Sequence, residues 1–324
     1  MKKIFITRRI HQPAEDMFRA EGYDVTVSTK DGVLTKEELI VALSGMQYDA
    51  VVSLLTDTID QEVISAMPDS VKIIANYAVG VDNIDLVAAT ERGIVVTNTP
   101  DVLTGSVAEH TVGMILSLAS RIAEGDRFIR EGKFVGWDPM LLLGIDIKGK
   151  TFGLIGAGRI GSEVAGILFN GFGMNVIYSD VKKNEALEVL CKAQFLRSHD
   201  EVLSRADVVS IHVPLLPTTH HLINAEKLAR MKKGALLINA SRGAIIDEQA
   251  LADALKAGVI RGAALDVFEF EPKINQELMN IPNVVMTPHA ASATEETRTK
   301  MAEIVARNVI EVLEGRGILN QVKN

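Results

Sequence analysis

A glycine loop in mid-chain, Gly156-Ala157-Gly158-Arg159-Ile160-Gly161, limits what this chain can fold into more than any other segment. It directly follows the apolar run Thr151-Phe152-Gly153-Leu154-Ile155 and opens a stretch with Val164, Ala165 and Leu168 on one helical face. A strand that turns at once into a helix through glycines is the start of a βαβ unit. Gly156 permits the tight turn, Gly158 lets backbone N–H groups approach a pyrophosphate, and Gly161 lets helix and strand lie close. The helix N-terminus, starting at Arg159 and Ile160, adds donors and a partial positive charge. Asp180 ends the next strand candidate about 20 residues further on, where a carboxylate accepts from a ribose 2′-hydroxyl and repels a 2′-phosphate. Val181 follows, where an arginine would welcome that phosphate. The loop therefore reads as a dinucleotide site favouring NAD over NADP, with Lys182 and Lys183 as the feature that blurs the choice.

The rest of the chain repeats the alternation. Before residue 100, strand candidates lie at Lys3–Thr7, Asp24–Val27, Ala50–Leu54, Val71–Asn76 and Val95–Asn98. Helical spacing fills Pro13–Glu21, Thr35–Leu43, Asp60–Ala66 and Ile84–Arg92, and Thr35 with Glu38 has the spacing of a capping box. A long helical stretch, Ser106 to Arg130, shows the same spacing at Ser106 and Glu109. After the glycine loop, strands are expected at Asn175–Ser179, Val208–Val213, Ala235–Asn239, Gly262–Leu265 and Val284–Thr287, then a helix over Glu295–Leu313. Strands alternating with helices imply parallel sheet. At 324 residues the chain suits two domains. The expectation is an α/β protein divided into residues 1–100 plus 291–324 and residues 101–290; the last helix lies beyond the glycine-loop unit, and the pattern alone does not fix its return to the first domain.

Charge and cysteine content remove several functions. The formal net charge of −8 argues against nucleic-acid or anionic-membrane binding. The lone Cys191 allows no intrachain disulfide, and no Cys/His spacing suggests a metal. The apolar run after Met1 is too short for a signal peptide, and Val112–Ala119 is too short for the ~20 residues of a membrane span. A cytoplasmic protein is expected.

Three residues near the end carry candidate chemistry. Arg242, in Asn239-Ala240-Ser241-Arg242-Gly243, stands where a strand gives way to loop, and its planar fork suits a carboxylate. His289, in Thr287-Pro288-His289, stands at another strand end. Glu271 precedes Pro272. A fixed cation, an acid beside a histidine and a histidine that moves a proton are the parts of a carbonyl reduction. Each also has a bland reading: a helix-capping arginine, a structural histidine, a loop carboxylate.

Taken together these stretches resemble the D-isomer-specific 2-hydroxyacid dehydrogenase family along essentially the whole chain. The resemblance rests on Asn76-Tyr77-Ala78-Val79-Gly80-Val81-Asp82-Asn83-Ile84-Asp85, the glycine loop, His212-Val213-Pro214-Leu215, the Arg242 motif, Leu265-Asp266-Val267-Phe268 with Glu271-Pro272, and Thr287-Pro288-His289. Within the family the chain is most similar to glyoxylate/hydroxypyruvate reductases. Trp137-Asp138-Pro139 resembles a tryptophan that those enzymes lend to a neighbouring subunit's site. The resemblance implies a flavodoxin-like substrate domain and a Rossmann cofactor domain, both doubly wound, with the active-site cleft between them. It implies that Arg242 grips the substrate carboxylate, that His289 gives the proton, and that Glu271 hydrogen-bonds His289 and favours its protonated form. Leu54, Val79, Gly80 and Trp137 would contact substrate. Val213, Pro214, Ala240, Ser241, Arg242, His289 and Ala291 would line the cofactor, and Asp266 would hold its carboxamide. Ala290-Ala291 stands where glycine is frequent in the family.

The reading is then NADH-dependent reduction of a small 2-oxo acid by a homodimer, assembled through the Ser106–Arg130 helix and the segment to Leu143. Phosphoglycerate dehydrogenase-like and D-lactate dehydrogenase-like activities remain alternatives, as does an NAD-sensing, corepressor-like binding protein. Formate dehydrogenase is disfavoured, because that branch has glutamine where Glu271 stands.

Overall fold

The computed structural model describes residues 1–323 and divides into two compact units, one of Met1–Leu103 with the chain from Ala293 onward, the other of Thr104–Ser292. The first unit alternates β1 (Lys3–Ile6), α1 (Pro13–Ala20), β2 (Asp24–Val27), α2 (Lys36–Ser44), β3 (Ala50–Ser53), α3 (Gln61–Ala66), β4 (Ile73–Asn76), α4 (Leu86–Glu91) and β5 (Val95–Thr97). All pairings are parallel, in the order β2-β1-β3-β4-β5. That is the flavodoxin-like order. Every residue of β3 and β4 is buried, as expected where helices cover both faces of a parallel sheet. The capping box at α2 is present: Thr35 Oγ1 accepts from Glu38 N, and Glu38 Oε2 accepts from Thr35 N at 2.7 Å.

The second unit opens on α5 (Thr104–Ala119) and α6 (Ile122–Arg130). It continues through β6 (Thr151–Ile155), α7 (Arg159–Phe172), β7 (Asn175–Ser179), α8 (Glu185–Cys191), β8 (Gln194–Phe195), α9 (His199–Arg205) and β9 (Val208–Ile211). Then come α10 (Ala225–Ala229), β10 (Leu236–Asn239), a 3-10 turn at Gly243–Ile245, α11 (Glu248–Lys256), β11 (Gly262–Leu265), α12 (Gln276–Met279) and β12 (Val284–Met286). The seven strands are parallel in the order β12-β11-β10-β9-β6-β7-β8. Counting from β6, this is the dinucleotide-binding order with one added strand. The order reverses between β6 and β9, and ligands bind at such a switch point. The last helix, α13 (Glu295–Leu313), packs within the first unit on α1, β3 and β4, burying Val305, Ala306 and Val309. Among the described residues no helix is long and apolar enough to cross a membrane.

The single helix expected over Ser106–Arg130 is two helices. Arg121 takes a left-handed backbone, φ 57°, which ends the first and starts the second. The helix begins at Thr104, so Ser106 and Glu109 lie inside it and mark no start.

Candidate active site

The carboxyl ends of β6, β7, β9, β10, β11 and β12 carry the candidate residues of the second unit. At the end of β6, Gly156 has φ +92°, and a Cβ there would stand 2.7 Å from the His212 carbonyl carbon, at the end of β9. A Cβ on Gly161 would stand 2.5 Å from the Gly156 carbonyl oxygen. Neither neighbour can rotate aside, because both are backbone, so these two glycines are set by packing. Gly158 differs. It caps α7 without a side-chain hydrogen bond, and a Cβ there would meet nothing within 4 Å. A phosphate approaching the first turn of α7, at Arg159 and Ile160, would therefore meet no side chain at Gly158. Asp180 is tied to this loop: its Oδ2 accepts from Ala157 N at 2.7 Å. Asn184 donates to the Ala157 carbonyl at 2.8 Å. A glycine turn, an uncapped helix start and a carboxylate at the next strand end fit a dinucleotide.

Val213 and Pro214 continue from β9, and Ala240 and Ser241 from β10. The Ser241 hydroxyl donates to the Val213 carbonyl, so the two loops are joined. Below them, burial pushes the His212 imidazole down to about 4, and its Nε2 lies 2.8 Å from Ser210 Oγ.

The Arg242 turn is built by its own motif. The buried Asn239 side chain accepts from Ser241 N at 3.0 Å and donates to the Arg242 carbonyl at 2.9 Å. Arg242 Nη1 donates to the Ser241 carbonyl at 2.8 Å. Gly243 then lies flat against the chain after β11. A Cβ there would fall 1.9 Å from the Phe268 carbonyl carbon and 2.3 Å from Glu269 N. This contact holds the Arg242 turn to the segment that carries Glu271. The motif contained Gly243, but nothing local reveals that its neighbour is Phe268.

Glu271 and His289 are brought together across 18 residues of sequence. Glu271 Oε2 lies 2.9 Å from His289 Nδ1, and Oε1 accepts from Phe268 N at 2.9 Å. The carboxylate is therefore fixed on one side and faces the ring on the other. His289 has φ 53°, and its N–H donates to the Asp266 carbonyl at 2.8 Å.

Asp266 lies inside the second unit, at the end of β11. It is fully buried. Its Oδ1 accepts from Thr287 Oγ1 at 2.6 Å and Ala290 N at 2.8 Å, and its Oδ2 from Ala291 N at 2.9 Å. His110 Nε2, on α5, lies 3.5 Å from Oδ1 and 3.0 Å from the Thr287 hydroxyl. Burial raises the carboxyl, but the bonds from His110, Thr287, Ala290 and Ala291 outweigh it and hold it below the usual aspartate value. Asp266 anchors the turn that presents His289, and the Ala291 amide is held by the same carboxylate. His110 has no signal in the sequence; it lies within a helix and reaches this network only through the fold.

In the first unit, Leu54, Val79 and Gly80 lie on loops after β3 and β4. Asn83 donates to the Leu54 carbonyl at 3.0 Å, Asn98 to Val79 at 2.7 Å and Asn76 to Gly80 at 2.8 Å. Asp57 Oδ2 accepts from Leu54 N at 2.7 Å. Asparagine side chains thus fix both loops.

The surface expected to pair subunits needs one correction. Met114, Ile115 and Leu118 on α5 are buried against α7 and the sheet of their own unit, so they are core. The exposed apolar groups lie beyond Arg121. No residue of α6 is buried, and Ile122, Ile129, Phe134, Met140 and Leu143 are exposed, with Val135 at 99% and Trp137 at 85%.

The sequence pattern described as D-isomer specific 2-hydroxyacid dehydrogenase, NAD binding domain, matches residues 112–291. A glyoxylate reductase of Thermofilum pendens is 48% identical, over 97% of this chain and 92% of that protein. The crystal structure of a glyoxylate reductase from Paecilomyes thermophila superposes with a TM-score of 0.87 at 33% identity, covering 99% of this chain and 98% of the other. An NADPH-dependent glyoxylate/hydroxypyruvate reductase from Sinorhizobium meliloti, in complex with NADP and malonate, does so at 0.87 and 30%, covering 99% and 96%.

Proposed function

Because the chain belongs to the D-isomer-specific 2-hydroxyacid dehydrogenase family and is thus an oxidoreductase, we propose that it reduces a small 2-oxo acid with NADH, glyoxylate to glycolate or hydroxypyruvate to D-glycerate. The observation that carries this reading is the Glu271–His289 pair, at the carboxyl end of the same sheet whose β6 feeds the glycine loop.

Reduction adds a hydride to C2 and a proton to the keto oxygen. When bound, the dihydronicotinamide supplies the hydride. The phosphates are assigned to the amides at Gly158, Arg159 and Ile160, and the ribose to Asp180. Val213, Pro214, Ala240 and Ser241 are assigned to the walls. Arg242 grips the substrate carboxylate and meets negative charge as it grows on the oxygen. Glu271 occupies the Nδ1 side of His289, which leaves Nε2 as the nitrogen that delivers the proton. Asp266 acts through the turn it anchors. NADH is preferred because Asp180 presents a charge where NADP carries its phosphate. The apolar surface from Ile122 to Leu143, with Val135 and Trp137 its most exposed members, supports a homodimer.

The test is a steady-state panel of glyoxylate, hydroxypyruvate, pyruvate and 3-phosphohydroxypyruvate, each with NADH and NADPH. Glyoxylate or hydroxypyruvate with NADH should give the highest kcat/KM. A panel led by pyruvate or by the phosphorylated acid would overturn the substrate assignment, and equal use of the two cofactors the role of Asp180.

A further inference from the structure

Three side chains that the reduction does not use converge at one place in the second unit: His220, His221 and Glu269. Their donor atoms all lie within 4.8 Å of one another. His221 Nε2 and Glu269 Oε1 are 2.7 Å apart, and the two imidazoles are stacked with centroids 4.0 Å apart. Neighbouring residues in extended chain point to opposite faces. Here His221 has φ 48°, a left-handed conformation uncommon outside glycine, in the turn that sets the two rings side by side. The turn is held in that shape. His221 N donates to the Ala244 carbonyl at 2.9 Å, Ile223 N to Ile245 at 3.0 Å, and the Thr219 hydroxyl to Pro214 at 2.7 Å. Glu269 is held as well. Its side chain is 11% exposed, and its N–H donates to Glu248 Oε1 at 2.6 Å. Two donors are thus fixed before any ion arrives, while the exposed His220 leaves a way in from solvent.

We propose that His220, His221 and Glu269 form a binding site for one divalent transition-metal ion of the zinc type. Two imidazole nitrogens and one carboxylate oxygen are the donors such ions prefer, whereas magnesium and calcium want oxygen alone. Three protein ligands leave further positions to water. Ligand atoms in a tetrahedral site stand roughly 3.3 Å apart. The His221–Glu269 pair therefore opens slightly to admit the ion, and His220 swings in from its exposed position. Spacing along the chain suggested no metal. The reason is that Glu269 lies 48 residues from His221, and only the fold joins them.

The test is calorimetric titration of the metal-stripped full chain with ZnCl2 in a non-chelating buffer, with MgCl2 as a parallel arm. The expected result is saturable binding of one zinc per chain, weakened at least about tenfold in His220→Ala, the lower end of what disturbing a metal site costs, and no saturable heat from magnesium. His220 is exposed and outside the proposed catalytic set, so its removal should leave the fold and glyoxylate reduction intact. Glu269→Gln, which keeps the side chain's shape, gives a second variant with the same expectation. The proposal is overturned if the parent chain shows no saturable zinc binding, if both variants bind as tightly as the parent, or if magnesium binds as well as zinc.

Discussion

Replacing Gly243 with alanine should damage the enzyme without touching any group that meets substrate. A Cβ at this position would stand 1.9 Å from the Phe268 carbonyl carbon, 2.1 Å from its oxygen and 2.3 Å from Glu269 N. Ordinary contact begins near 3.4 Å, so the two backbones have to part by roughly 1.5 Å. All three obstructing atoms are main chain, and no rotamer change relieves them. One of the separated segments carries Arg242, the other holds Glu271 through Phe268 N. Overpacking costs typically about 1–3 kcal/mol, and a shift of about 1 Å at a catalytic group costs on the order of 10²-fold in rate. Gly243→Ala should therefore lose about 2 kcal/mol or more of stability and about 10²-fold in kcat/KM, while NADH binding, which uses the glycine loop, is largely kept. Gly158→Ala is the contrast. Its Cβ meets nothing in the chain, so stability should hold while NADH affinity falls. Urea unfolding followed by circular dichroism, NADH fluorescence titration and steady-state rates measure all three quantities. A Gly243→Ala protein with the parent's unfolding midpoint and kcat/KM would refute this account of how the Arg242 and Glu271 segments are joined.

Three more outcomes follow from the geometry. Arg242→Ala should raise KM and lower kcat together, with kcat down roughly 10²–10³-fold, since the cation meets substrate and developing charge alike; a change in KM alone would remove Arg242 from the chemistry. Asp266→Asn should cost about 1–3 kcal/mol, because an amide cannot accept from both Ala290 N and Ala291 N and one buried donor loses its partner. Its kcat should fall as the His289 turn loosens, and an unchanged urea midpoint would count against the anchoring role. His212, pushed down to about 4 from 6.5, refuses a proton that the unfolded chain accepts. Its contribution is whole above pH 6.5 and lost as pH falls toward 4, up to about 3 kcal/mol. His212→Asn should flatten the loss of stability between pH 7 and pH 4.5, and an identical loss in parent and variant would contradict it.

What the sequence revealed was whatever is local. The strands that became β3, β4, β9 and β10 read as short β-rich, largely apolar runs because both their faces are covered. The Thr35–Glu38 cap formed because both halves of the interaction lie within one turn. The same spacing at Ser106 and Glu109 misled, since four residues cannot tell a helix start from its interior. Met114, Ile115 and Leu118 show another limit: an apolar helix face looks the same whether its own core or a partner covers it. Asp266 has its partners 24 and 25 residues away at Ala290 and Ala291, so its burial and its role emerged only in the fold. The Gly243–Phe268 contact and the meeting of His221 with Glu269 are of the same kind.

In the proposed reaction His289 delivers the proton in the reduction of a 2-oxo acid. Single-turnover reduction of glyoxylate by NADH, measured for the parent and for His289→Ala with NADH affinity determined alongside, decides this. The parent should turn over glyoxylate, and the variant should bind NADH normally while reacting roughly 10²–10⁴-fold more slowly, the usual worth of a positioned general acid. A variant that reduces glyoxylate at the parent's rate would contradict the assignment.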